Sequence, residues 1–206
     1  MHLVVASPET VAYKEKTKMS RIHAVPTAEA TGKAKQLLEG VQAKLGITPN
    51  LMRGLANAPA ALEGYLSFSG ALSHGVLNAK FREQLALTVA QANSCEYCLA
   101  AHTAIGGMTG LSAEEIAKSR AAHSGDEKQN AGLGFAQKLV VSRGQVSDEE
   151  LAAVRAAGYS EAEIVEVIAH VALNIFTNYF NHVAQTVVDF PAVDVRLGTQ
   201  KAGSAA

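Results

Sequence analysis

The sequence EQLALTVAQANSCEYCLAAH, residues 83–102, decides the local fold and the chemistry of this chain. Helix-favouring residues such as alanine and leucine fill both ends of the stretch, while Asn93 and Ser94 interrupt it in the middle. Asparagine and serine favour turns because their side chains hydrogen-bond to nearby backbone groups. The stretch therefore predicts two adjoining helices joined by a short turn, with reactive side chains on both.

Two cysteines stand three residues apart at the start of the second helix. Residues at this spacing share a helix face, so the sulfurs of Cys95 and Cys98 can bridge with little backbone movement. Cys95 is expected in the first helical turn, where free amides and the helix dipole should lower its pKa. His102 follows Cys98 by four residues and lies on the same line of the surface, where its imidazole can take a thiol proton.

Glu83 is a candidate general base on the preceding helix. Its neighbours on the same helix face are Ala86, Leu87 and Ala90, which are small or apolar. Burying a carboxylate among such residues carries a free-energy cost that calls for a reason. Glu83 therefore suits a group that passes protons, directly or through water, toward a cysteine and histidine pair.

Other interpretations of these residues remain open. A CxxC pair can be half of a zinc site, but no second CxxC or suitably spaced pair of histidines follows it. His102 alone could be a core histidine and Glu83 alone a surface acid. The four remaining candidates, His74, His123, His170 and His182, are weaker, and His170 forms an ordinary exposed helix pair with Glu166 four residues earlier.

The rest of the chain predicts an all-α fold, since no stretch alternates apolar and polar residues as a strand would. Helix-start signals occur at Thr27, at Asn57 ahead of Pro59, and at three capping boxes: Ser112 with Glu115, Ser147 with Glu150, and Ser160 with Glu163. Glycines at Gly106–Gly107, Gly110, Gly144 and Gly158 mark helix ends. The predicted helices are 27–45, 58–73, 79–93, 95–107, 112–122, 126–142, 147–157 and 160–188.

The last predicted helix carries two kinds of stripe. One is apolar and consists of Ile164, Val167, Ile168, Val171, Ile175, Tyr179 and Val183. The other consists of Asn174, Asn178, Asn181 or His182, and Gln185. The apolar stripe requires a packed partner. The amide stripe is either a solvated face or a buried polar seam at a subunit contact or beside the active site.

Composition excludes several classes of function. The chain has 206 residues, 48% hydrophobic and 18% charged, which is typical of a globular protein, with a formal net charge of -1. No basic stripe suits nucleic acid, and no run approaches the length of a membrane span or resembles an export signal. We expect a cytoplasmic protein with a flexible extension at 1–18, one domain at 19–192 and a flexible tail at 193–206.

The motif resembles that of the AhpD-like alkylhydroperoxidases of the carboxymuconolactone decarboxylase superfamily. That pattern is a glutamate, CxxC twelve residues on, and a histidine four residues after the second cysteine, met here by Glu83, Cys95, Cys98 and His102. LGITPNLMRGLANAPAALEGY at 45–65 and GLSAEEI at 110–116 are also similar to the peroxidase-related branch. The resemblance covers roughly residues 20 to 190.

The resemblance implies an all-helical bundle assembled as a homotrimer, hexamer or other ring-like oligomer. It also implies that the cysteine pair reduces an organic hydroperoxide without a metal or organic cofactor, and that an external dithiol protein reopens the disulfide. By position, Cys98 would be the attacking thiolate and Cys95 the resolving thiol, opposite to the order that the helix dipole favours. Tyr97 stands where the best-known peroxidases of this kind have a histidine, which implies a shorter proton relay.

Three alternative functions use the same sequence differently. The pair could serve a thiol-disulfide oxidoreductase that ignores peroxides. It could be the switch of a non-enzymatic redox-sensing oligomer, whose packing changes when the disulfide forms. The third is cofactor-free acid-base chemistry on a small carbonyl compound, with the cysteines incidental.

Overall fold

The structure is a computed structural model that describes residues 19–196, and within this range the chain forms helices and no strands. The predicted all-α fold class is confirmed. In chain order the helices are α1 (Gly32–Leu45), α2 (Asn50–Leu55), α3 (Pro59–Leu72), α4 (Ala79–Ala92), α5 (Glu96–Met108), α6 (Ala113–Arg120), α7 (Glu127–Val141), α8 (Asp148–Ala156) and α9 (Glu161–Ala184). The predicted extension at 1–18 lies outside the described residues.

All three predicted capping boxes are present, at the starts of α6, α8 and α9. At α6 the amide of Glu115 donates to Ser112 Oγ at 3.2 Å, and the amide of Ser112 donates to Glu115 Oε2 at 2.7 Å. Each box satisfies two amides that a helix start would leave unpaired. These boundaries were therefore predictable from a four-residue pattern.

The first helix begins later than the sequence predicts. Thr27 does not cap it, because the amides of Glu29 and Ala30 both bond back to Pro26 in a turn. Gly32, the first residue of α1, has a φ of +54°, so the right-handed helix cannot extend back through it toward Thr27. The predicted start at residue 27 is wrong for this reason.

The short helix α2 is absent from the prediction, although the residue before it is Pro49. The predicted cap Asn57 also has a different role. Its amide donates to the carbonyls of His23 and Gly54 at 2.8 and 2.9 Å, and Ala58 is the N-cap residue of α3. Asn57 therefore holds the segment around His23 against the end of α2.

Helix α5 ends one residue beyond its predicted end at 107, whereas the predicted end of the last helix at 188 is wrong. Helix α5 continues through Gly106 and Gly107 and ends before Gly110, whose φ is +89°. Glycine permits a left-handed conformation without imposing one. Helix α9 ends at Ala184 rather than at 188, because Gln185 adopts the left-handed conformation at a φ of +46°.

Helix α4 connects two clusters of buried apolar side chains. Leu87 and Ala90 pack in one cluster with residues of α1, α2, α3 and α5. Phe81, Leu85 and Val89 pack in the other with residues of α7, α8 and α9. Because α4 is enclosed on both sides, truncating a leucine such as Leu85 to alanine should cost about 2–5 kcal/mol of stability. The helix that carries Glu83 is thus rigidly held.

Helix α9 is oriented differently from the prediction. Ile164, Val167 and Val171 are buried as predicted, but Ile168, Tyr179 and Val183 of the same predicted stripe are exposed. The second half of the helix turns its asparagines inward instead. No helix within residues 19–196 is long and apolar enough to cross a membrane.

The predicted tail at 193–206 starts against the body of the molecule. Val193 and Val195 pack on the first apolar cluster, and Gln91 Nε2 donates to the carbonyl of Val195 at 2.8 Å. Residues 197–206 lie outside the described residues. The domain end at residue 192 stays a prediction.

Candidate functional site

The cysteine pair lies at the start of α5, and a tight turn sets its position. Ser94 has a φ of +53°, and the amide of Cys95 donates to the carbonyl of Ala90 at 2.8 Å. Cys95 is the N-cap residue and Cys98 lies one turn later, so their sulfurs face each other at 2.7 Å. Both thiols are free, with 1% and 3% of their residue surfaces exposed.

The surroundings shift the pKa values of the two thiols in opposite directions, down for Cys98 and up for Cys95. The Cys95 thiol donates a hydrogen bond to Cys98 Sγ, which is the largest of the effects that lower the pKa of Cys98 to about 7 despite burial. The positive charge of His102 and the amides of Asn181 and Asn178 act in the same direction. The same thiol contact, together with burial, raises the pKa of Cys95. These contacts favour Cys98 as the thiolate, the reverse of the order that the helix dipole predicts.

His102 and Glu83 form an ion pair between α5 and α4. Nδ1 of His102 lies 2.8 Å from Oε2 of Glu83, and their side chains are 22% and 17% exposed. Burial alone would lower the pKa of His102, but the charge and hydrogen bond of Glu83 outweigh it and raise that pKa. The structure thus brings all four predicted site residues, Glu83, Cys95, Cys98 and His102, into one small region.

The amide stripe of α9 is buried beside the cysteines, which excludes the solvated-face interpretation for its main members. Asn181 Nδ2 donates to Cys98 Sγ at 3.2 Å, and Asn178 Oδ1 accepts from Asn93 Nδ2 at 2.9 Å. Gln185 is exposed beyond the helix end, and His182 is exposed with its Nε2 2.9 Å from the carbonyl of Asn93. The helical spacing of the asparagines was the signal for this seam.

A large cavity of about 580 Å³ opens beside Cys98. Glu83 and His102 line it as well, while most of its remaining wall is apolar and includes Met52 and Leu66. Such a concave site with few polar groups suits a small, largely apolar molecule.

Tyr97 also lines the cavity, but its hydroxyl takes no part in the pairing of His102. It accepts a hydrogen bond from the amide of Leu51 at 3.1 Å, and its ring meets Phe190 edge-on at 5.7 Å between centroids. Burial raises the pKa of Tyr97. Tyr97 therefore anchors α2 against the site.

Two further side chains of the cavity wall, Tyr65 and Arg82, were missed as site candidates, and the weak candidate His170 also lines the cavity. Burial, followed by the negative charges of Cys98 and Glu83, raises the pKa of Tyr65 to about 12. Tyr65 is therefore a permanently protonated phenol near the thiolate. Nothing in the spacing of α3 distinguishes it from an ordinary core tyrosine.

The predicted surface pair of His170 with Glu166 is wrong. Glu166 instead accepts from the amides of Val76 and Leu77 at 2.7 and 3.0 Å, and caps the loop before α4. His170 is only 6% exposed, and burial, followed by the charge of Arg82, lowers its pKa. The other weak candidates, His74, His123 and His182, are not among the cavity-lining residues in the described range. Within residues 19–196 no group of three or more histidine, cysteine or acidic side chains is arranged to hold a metal ion.

Comparison with known proteins agrees with this geometry. The sequence pattern of the carboxymuconolactone decarboxylase family matches residues 59–138, which contain all four predicted site residues. No curated protein matches the chain significantly. Among solved structures, an uncharacterized peroxidase-related protein from Ralstonia eutropha JMP134, described as an alkylhydroperoxidase AhpD core, is 25% identical with a TM-score of 0.73, covering 84% of this chain and 93% of its own.

Two other solved structures have the same fold. An uncharacterized peroxidase-related protein from Silicibacter sp. TM1040 is 21% identical with a TM-score of 0.72, covering 84% of this chain and 94% of its own. The debrominase Bmp8, a variant of which was solved in complex with 2,3,4-tribromopyrrole, is 17% identical with a TM-score of 0.70, covering 82% of this chain and 91% of its own.

The nine described helices and the structural matches together define an AhpD-like fold. The segment that carries the motif, residues 59–138, is similar to the carboxymuconolactone decarboxylase family, in agreement with the resemblance of the motif. Proteins of this fold include peroxidase-related members and a debrominase, so the fold alone does not define the reaction.

Proposed function

We propose that this protein reduces organic hydroperoxides with Cys98 as the attacking thiolate and Cys95 as the resolving thiol. The observation that carries the proposal is the set of contacts around Cys98 Sγ, which accepts from Cys95 at 2.7 Å and from Asn181 at 3.2 Å. Both contacts favour the thiolate, and a pKa of about 7 makes Cys98 reactive near neutral pH.

The first step oxidises Cys98. His102, held by Glu83, takes the thiol proton, and the thiolate attacks the terminal oxygen of the hydroperoxide. The O–O bond breaks, a sulfur–oxygen bond forms to give a sulfenic acid, and the alkoxide leaves. The proton held by His102 converts the alkoxide to an alcohol. Sulfur is oxidised and the peroxide is reduced by the same two electrons.

The second step closes the disulfide. Cys95 attacks the sulfenic sulfur, a Cys95–Cys98 bond forms as the sulfur–oxygen bond breaks, and the sulfenic hydroxyl leaves as water with the thiol proton of Cys95. An external dithiol protein then transfers two electrons and two protons by thiol-disulfide exchange and becomes a disulfide itself. Because both sulfurs are buried, the reductant must carry its thiols on a protein segment that is narrow enough to enter the cavity.

The test is a thiol count and intact mass of the reduced, metal-chelated protein after it is mixed with an organic hydroperoxide. We expect both thiols to be lost rapidly into one intramolecular disulfide, far faster than free cysteine reacts, and the loss to be abolished by Cys98→Ser. Cys95→Ser should still consume one equivalent of peroxide and stop at the sulfenic acid. Thiols that stay reduced would overturn the proposal, and oxidation by small disulfides alone would favour the oxidoreductase alternative.

We also propose that the protein is a homo-oligomer. The outer side of α9 exposes Val165, Ile168, Phe176, Tyr179 and Val183, a continuous apolar face whose burial would stabilise an assembly. Light scattering should give a multiple of the 21.5 kDa chain mass, and Tyr179→Glu should lower it. A monomeric parent protein would contradict this, while Val141→Glu, on an exposed residue of α7, is the matched control.

A further inference from the structure

The end of the cavity away from the cysteines carries a polar group that the proposed cycle does not use. His170 lies on α9 and is almost completely buried, yet its Nε2 has no hydrogen-bond partner within the described part of the chain. A buried polar atom without a partner is unfavourable by about 1–3 kcal/mol, so such atoms tend to occur where a ligand binds.

Helix geometry gives the separation along α9 between His170 and Asn181, the residue that contacts the thiolate. Asn181, which contacts Cys98, follows His170 by eleven residues on the same helix. Eleven residues are close to three full turns, so both side chains lie on one face, separated by about 16 Å along the axis. The cavity includes both ends of this span, and its wall between them is largely apolar.

The charges around His170 favour a negative ligand. Arg82 lines the cavity, and its Nη1 donates to the carbonyl of Leu77 at 2.6 Å. Among residues 19–196 Arg82 forms no ion pair. The two nearby carboxylates are occupied, since Glu83 pairs with His102 and Glu166 accepts from two backbone amides. Arg82 is therefore a cation of the cavity wall near His170 that no carboxylate among residues 19–196 pairs with.

We propose that Arg82 and His170 form a carboxylate-binding subsite, and that the preferred substrate is an elongated apolar hydroperoxide with an acid group at its far end. This inference rests on the proposed peroxidase function and names its substrate class. Arg82 supplies the charge and His170 Nε2 a hydrogen bond to the carboxylate. The apolar wall holds the chain so that the hydroperoxide reaches Cys98.

The test compares linoleic acid hydroperoxide with its methyl ester, which differs only in the acid group. The readout is the ratio of the two rates of thiol oxidation, because this ratio cancels general effects on Cys98. The parent protein should prefer the acid by about tenfold or more, the usual value of a charge-assisted hydrogen bond. Arg82→Gln and His170→Leu should bring the ratio close to one, Arg82→Lys should restore part of it, and Arg143→Gln, on an exposed arginine, should leave it high.

A second measurement separates this proposal from the peroxidase function. Calorimetry with decanoate and with decanol measures binding without any peroxide, and decanoate should bind more tightly to the parent protein but not to Arg82→Gln. Equal reactivity with acid and ester, or equal binding of decanoate and decanol, would overturn the subsite. If the thiols resist tert-butyl hydroperoxide but decanoate still binds through Arg82, the peroxidase function fails and the carboxylate site stands.

Discussion

The first half of α9 turns Ile164, Val167 and Val171 toward the interior, whereas the second half turns Asn174, Asn178 and Asn181 toward it. The apolar half packs against α4 and α7 and stabilises the fold. The amide half leaves Asn181 Oδ1 buried without a hydrogen-bond partner among residues 19–196, which is unfavourable. The first half of α9 therefore stabilises the fold. The second half is less favourable for stability, and Asn181 in that half contacts the reactive sulfur of Cys98.

The largest expected effect comes from reversing the electrostatics of the amide half. Asn181→Asp replaces a donor to Cys98 Sγ with a carboxylate about 3 Å away, so the pKa of Cys98 should rise and its alkylation near pH 7 should slow on the order of 10- to 100-fold. The pH profile of iodoacetamide alkylation measures this. An unchanged profile would show that the amide does not tune the thiol.

Truncation in the apolar half should change stability and leave thiol chemistry alone. Val167→Ala removes two methyl groups from a fully buried position and should lower the free energy of unfolding by about 2 kcal/mol, with alkylation of the folded protein unaffected. Urea unfolding gives the first quantity. Val141→Ala, on a residue of α7 that is 72% exposed, is the matched control and should change neither.

A third substitution should move stability and reactivity in opposite directions. Asn181→Leu removes the unpartnered Oδ1 and should raise the free energy of unfolding by about 1 kcal/mol, while loss of the donor raises the pKa of Cys98 and slows peroxide reduction near pH 7. Urea unfolding and the peroxide assay should be run on the same preparation. A loss of stability with unchanged reactivity would mean that Asn181 is only a packing residue.

The smallest expected effect concerns the pH dependence of stability. Because the pKa of His102 is raised in the folded protein, its stabilisation is fully present below its unfolded pKa of about 6.5 and is lost as pH rises through the folded pKa. Glu83→Gln should remove this loss, a change on the order of 1 kcal/mol in urea unfolding between pH 6 and 8. Glu114→Gln, which removes an exposed helix pair with Lys118, should leave the slope in place.

The fold was predictable where local chemistry decides it. The three capping boxes fix the starts of α6, α8 and α9 because each is satisfied within four residues. The start of α1 and the end of α9 were not predicted, since Gly32 and Gln185 take left-handed conformations that no pattern along the sequence marked.

For the site, too, the features that lie on one helix were predictable, and those that depend on contacts between helices were not. The spacing of Cys95, Cys98 and His102 on one helix predicted their common face, and the motif placed Glu83 beside them. The spacing did not reveal that Asn181, from another helix, donates to Cys98 Sγ. The burial of His170 was not predicted, because the spacing suggested an exposed pair with Glu166, four residues earlier. Only the fold reveals that Glu166 is engaged by the loop before α4.

The contact between the two sulfurs has a consequence for survival under oxidative stress. In the proposed cycle the sulfenic acid on Cys98 is vulnerable to a second peroxide, which would convert it irreversibly to a sulfinic acid. Cys95 is already 2.7 Å from that sulfur, so disulfide closure needs neither unfolding nor the arrival of another chain. The harmful reaction depends on peroxide concentration and the protective one does not. The protein should therefore keep working at peroxide levels that inactivate thiol enzymes whose two sulfurs must first be brought together.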